Sequence, residues 1–115
     1  MTDKNVVCHV SAELTGIGSG ALRDAPLLSG LLIAAAGAAG LSASGTPVVR
    51  IAPDGAISAM LQLDPGHASI HSFPARGLAL VDVMAHNDTG ATKALDVFVR
   101  RLAPAGVASE TRSRG

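Results

Sequence analysis

The chain has 115 residues, and nine Lys and Arg balance nine Asp and Glu, so its formal net charge is zero. That length supplies one domain with a real core. The even charge, the absence of Trp and Tyr and the presence of only two Phe argue against a nucleic-acid partner, which calls for a basic surface and stacking rings. Cys8 is the single cysteine, so an intrachain disulfide is excluded and a reducing compartment fits. The opening Met-Thr-Asp-Lys-Asn lacks the basic-then-apolar form of a signal peptide. The most apolar run, Leu31–Ala36, is far short of the ~20 residues of a membrane helix. The expectation is a cytoplasmic protein without a membrane partner.

Val6–Leu14 alternates as a strand, with Val6, Cys8, Val10, Ala12 and Leu14 on one face and Val7, His9, Ser11 and Glu13 on the other. Gly16–Gly20 reads as a loop. Asp24 is placed to cap a helix, with Pro26 in its first turn and Leu27, Leu28, Leu31, Leu32, Ala35 and Ala38 at helical spacing up to a stop at Gly40. Gly30 and Gly37 each weaken that helix by up to ~1 kcal/mol relative to alanine, so close packing on the sheet is expected to compensate. Pro47–Ile51 and Ala56–Asp64 read as strands joined by a turn at Pro53-Asp54-Gly55.

Three of the four histidines then fall within residues 61–86, LQLDPGHASIHSFPARGLALVDVMAH. Pro65-Gly66 breaks the run. His67, Ser69 and His71 alternate with Ala68 and Ile70, and after Pro74–Gly77 a further strand covers Leu78–His86, with Asp82, Met84 and His86 on one face. Asn87-Asp88-Thr89 offers caps for a last helix, whose buried stripe is Ala91, Ala94, Leu95, Phe98 and Leu102 and which ends at Pro104. Residues 1–104 are read as one domain and 105–115 as a flexible tail.

Short turns between most strands predict an α+β fold, a two-layer sandwich of an antiparallel sheet with two helices on one face. The opposite face collects His9, Glu13, Ser58, Gln62, Asp64, His67, Ser69, His71, Asp82 and His86. No resident metal is expected. A metal, were one bound, would use His71 and His86 with His9 or Asp82, because His67 and His71 stand four residues apart, about 13–14 Å along one strand. Without a metal, these histidines satisfy hydrogen bonds in a half-buried polar surface.

The register Leu63, Asp64, Pro65, Gly66, His67, Ala68, Ser69, Ile70, His71, Ser72, Phe73, Pro74, followed by Val81, Asp82, Val83, Met84, Ala85, His86, resembles the small prokaryotic type of S-adenosylmethionine decarboxylase. That family has Leu-x-Glu-Ser-His-x-Ser-x-His-Thr-Trp-Pro-Glu and then Val-Asp-Val-Phe-Thr-Cys-Gly. The likeness runs over roughly residues 6–104. It implies a dimer whose two sheets face one another around the ligand sites.

The family cuts its own chain between the glutamate and the serine, and the serine becomes the pyruvoyl cofactor. The pair here is Pro65-Gly66. Glycine has neither a hydroxyl to attack the preceding carbonyl nor a β-carbon to become the ketoacyl methyl, so no pyruvoyl group and no other cofactor is expected. The resemblance further implies catalytic roles for Ser58 and His71, which match residues that assist processing, and for His86, which stands where the family has a proton-handling cysteine. It implies substrate contacts at Glu13, Asp64, Gly66, His67, Ser69 and Asp82. Ala75 replaces the last glutamate of the signature, and Ile51 stands where an aromatic is usual.

Two functions follow as expectations. In the first, the pocket performs cofactor-free acid–base chemistry, by descent a decarboxylation, on a small carboxylate- or amine-bearing metabolite of a biosynthetic pathway. In the second, the chain is a non-catalytic ligand-binding or regulatory subunit. Its partners are a small molecule and a second copy of itself, or a related decarboxylase in a heterodimer.

Overall fold

Every long strand of the sheet but one alternates apolar and polar residues, and that alternation settles which side carries the helices. The computed structural model describes residues 7–115. Val6, expected to open the first strand, and Met1–Asn5 lie outside the described residues. The elements run β1 (Val7–Thr15), α1 (Ser19–Leu22), α2 (Ala25–Ala38), β2 (Ser42–Ala43), β3 (Val48–Ile51), β4 (Ile57–Asp64), β5 (His67–Phe73), a 3-10 turn at Pro74–Arg76, β6 (Leu78–Ala85), α3 (Asp88–Leu102) and β7 (Gly106–Arg114). The sheet is antiparallel, in the order β2-β4-β5-β6-β1-β7, with β3 pairing β4 beside β2. Among the described residues, no helix is long and apolar enough to cross a membrane.

The expected signals are the ones that operate. Asp24 accepts a hydrogen bond from the Leu27 amide at 3.0 Å and starts α2, with proline in the first turn. Asn87 caps α3 through the Gly90 amide at 2.8 Å. Gly55, at φ 88°, closes the β3–β4 hairpin, and Asp54 takes the Ala56 amide at 3.0 Å. Leu28, Leu31, Leu32 and Ala35 of α2 and Ala91, Ala94, Phe98 and Leu102 of α3 pack onto Val10, Leu14, Leu61, Ile70, Val81 and Val83 of the sheet. Ser72 is the polar member of this layer. Its hydroxyl donates to the Leu22 carbonyl at 2.7 Å and accepts the Ile57 amide at 2.8 Å, tying α1 to the sheet, and among the described residues no buried side-chain polar atom lacks a partner.

Three expectations change. Gly30 and Gly37 are exposed, and an added Cβ at either would meet nothing within 4 Å, so no close approach offsets their propensity cost. A third, short helix, α1, begins at Ser19 within the segment read as a loop and runs on to Leu22. The tail read as flexible becomes β7, which pairs with β1 from Thr15–Gly106 to Val7–Arg114. Pro104 does end α3. Ala103 turns through φ 45° and the Ala105 amide then bonds the Thr15 carbonyl at 2.8 Å, handing the chain to the sheet edge. β7 buries almost no side chain, so its backbone pairing leaves no hydrophobic alternation to read.

Cys8 points into the core and donates its thiol hydrogen to Asp88 at 2.9 Å. Burial first, and then that carboxylate, push its pKa up to about 11. The thiol therefore stays protonated near neutral pH and serves as packing, not as a nucleophile.

Candidate functional site

Cross-strand registers arrange the sheet's open face in rows. One row reads Met60, Ser69, Asp82, Ser11, Glu110 across β4, β5, β6, β1 and β7. The next reads Ser58, His71, Leu80, Glu13, Ala108. Over these rows lies a pocket of about 440 Å³, with Ser11, Glu13, Ser69, His71, Asp82, Ser109 and Glu110 as its polar lining and Leu80 and Ala108 among its apolar residues. Three carboxylates and one imidazole line it, without a lysine or arginine. His71 Nδ1 and the Ser58 hydroxyl are 3.0 Å apart at its rim. Ser69 is 4% exposed.

Beside the pocket, Asp82 is held between two imidazoles. One carboxylate oxygen meets His9 Nε2, and the other meets His67 Nε2 at 3.1 Å. His9 pairs with Met84 across β1 and β6, and His67 lies one step beyond the Ala68–Val83 pair on β5, so the two rings lean in from either side of β6.

The residues expected at the site thus divide. Glu13, Ser69, His71 and Asp82 line the pocket, and Ser58 and His67 reach it through His71 and Asp82. Asp64 sits away at the β2 edge, opposite Ser42. Gly66 forms the β4–β5 turn at φ 98°. His86 is a correction: β6 ends at Ala85, and His86 is exposed beyond it. His71 pairs with Leu80, and His86 follows six residues later, about 20 Å away at ~3.3 Å per residue. Within one chain the two imidazoles share no pocket, and the metal set built on His71, His86 and His9 does not assemble; His9 meets His67 and Asp82 instead. Glu110 was missed because it comes from β7, whose strand left no burial signal. Ser11 and Leu80 were visible in their strands' alternation but carried no chemical signal.

A family profile described as S-adenosylmethionine decarboxylase matches residues 8–115. The S-adenosylmethionine decarboxylase proenzyme of Aquifex aeolicus is 30% identical over 113 residues, covering 97% of this chain and 83% of that protein. The proenzyme of Brevibacillus brevis is 31% identical over 108 residues, covering 93% and 80%. The crystal structure of the Aquifex aeolicus adenosylmethionine decarboxylase superposes with a TM-score of 0.89 at 25% identity, over 98% of this chain and 93% of that one. The α+β sandwich with a polar open face is therefore that of a decarboxylase-type domain. The chain belongs to the S-adenosylmethionine decarboxylase family.

Proposed function

We propose that this chain is a pyruvoyl-free member of its family that binds a small amine-bearing metabolite in the open-face pocket. It acts as a ligand-binding or regulatory subunit, in the cytoplasm, paired with a second copy or with a related decarboxylase. The observation that carries the reading is Gly66, taken as the position of the family's pyruvoyl-forming serine. It has no hydroxyl, and its turn at φ 98° is one that an L side chain rarely adopts. The lining of Glu13, Asp82 and Glu110 favours a cation over a carboxylate, which narrows the ligand to its amine-bearing class. Pairing is supported by apolar side chains left on the open face, with Val48 75%, Met60 50% and Phe73 39% exposed.

A second reading, cofactor-free acid–base chemistry extending to decarboxylation, draws support from the Ser58–His71 contact at the pocket rim. It needs His86 to come from the partner chain, given the separation inside one protomer.

Calorimetric titration separates these readings. A short alkyl diamine is expected to bind, while the dicarboxylate of the same length is not. Glu13→Gln or His71→Asn should weaken the diamine about tenfold or more, the scale of one lost hydrogen bond to a charged group. His86→Asn should leave binding unchanged, and light scattering should report a dimer throughout. Equal binding of both ligands, or of neither, contradicts the pocket assignment. Turnover that vanishes in both His71→Asn and His86→Asn would favour the second reading.

A further inference from the structure

We propose that His9, His67 and Asp82 form a binding site for a divalent transition-metal ion of the zinc type, sharing Asp82 with the pocket. The three residues come from three adjacent strands, β1, β5 and β6, and stand on the same face. One ligand atom from each, two imidazole nitrogens and a carboxylate oxygen, all lie within 4.8 Å of one another. The rings are edge-to-face with centroids 6.3 Å apart, so both Nε2 atoms converge on the carboxylate from opposite sides of β6.

Two imidazoles and one carboxylate are a donor set suited to zinc, iron or cobalt, whereas magnesium and calcium take oxygen ligands almost throughout. Metal binding requires each imidazole to carry its proton on Nδ1 and present a lone pair at Nε2. In the metal-free arrangement both Nε2 atoms donate to the Asp82 carboxylate, so an ion would take the place of those two hydrogens while each proton moves to Nδ1, which has no hydrogen bond to the described residues. The side chains are 23%, 33% and 33% exposed, partly shielded from water yet reachable by an ion. Three protein ligands leave a coordination position open. Asp82 also lines the pocket, together with Ser11 and Ser69 on either side of it, so that position opens towards a bound small molecule. Arg112 pairs with His9 across β1 and β7, but it is exposed and its charge is solvated. Held in sheet strands, the three donors approach their places without ordering a loop.

The test is titration of Zn2+ into the full chain, freed of metal by a chelator and carrying no polyhistidine tag. The expected result is saturable binding of one ion per chain. Removing only an outer-shell partner of a metal site weakens binding about 10–100-fold, so His67→Asn, which removes an imidazole ligand, and Asp82→Asn, which replaces the anionic ligand by a neutral amide, should weaken it at least that much. His86→Asn removes an exposed histidine outside the cluster and should leave the affinity unchanged. Co2+ in place of Zn2+ should give a visible absorption band that Asp82→Asn alters. Wild-type protein that takes up no stoichiometric Zn2+ overturns the proposal and leaves the three residues as a hydrogen-bonded triad. So does an Asp82→Asn variant of unchanged affinity, or a His86→Asn variant weakened as much as His67→Asn.

Discussion

Replacing Gly66 by serine is expected to lower the stability of the fold by about 1–3 kcal/mol, the usual cost of holding an L residue in a sparsely populated backbone region. Gly66 sits at φ 98°, and a Cβ built there lies 3.0 Å from Met84 Cβ and 3.2 Å from the Met84 carbonyl oxygen. Backbone and side chain are thus both unfavourable, and relief requires β6 or the β4–β5 turn to shift. Gly66→Ala should cost about as much, because the penalty attaches to the Cβ rather than to the hydroxyl. Urea melts of both variants measure it. Midpoints unchanged from wild type would mean that the turn relaxes freely and that glycine there is no structural commitment.

Phe98→Ala is expected to have the largest effect on stability, a loss of about 3–5 kcal/mol, from transfer of the ring and the cavity left behind. Phe98 is fully buried between α3 and the sheet. A domain of this size has roughly 5–15 kcal/mol of total stability, so the variant approaches the limit of folding. Phe73, the other phenylalanine, is 39% exposed on the open face. Phe73→Ala should cost the isolated chain well under half as much. Equal losses at the two positions, measured by denaturant unfolding, would contradict the assignment of the core.

What was legible in the sequence follows from what each signal reports. Alternation in residues 7–14, 57–64 and 78–85 reports burial on one side of a sheet, so the α+β sandwich and its polar face could be read directly. Asp24, Asn87 and Gly55 act locally, and local chemistry survives translation into structure. β7 escaped because an edge strand held by backbone pairing needs no apolar face. Its absence from the reading hid Glu110 from the pocket. His86 was misplaced because alternation continues past the point where the ladder stops: Ala85 is the last residue of β6, and the chain then turns to cap α3 with Asn87. The His9–Asp82–His67 arrangement depends on the register of three strands. Spacing along any one of them cannot reveal that, and the contacts join residues 73 and 15 positions apart.

Whether the chain stays whole and carries no ketone, as proposed, is tested most directly by intact-mass spectrometry of the purified protein. The expected result is one polypeptide at the full calculated mass, unchanged after treatment with a hydrazine reagent, since glycine at position 66 offers no route to a pyruvoyl group. Two fragments that divide the chain between residues 64 and 72, the second gaining mass with the hydrazine, would contradict it and return the protein to the self-processing decarboxylases.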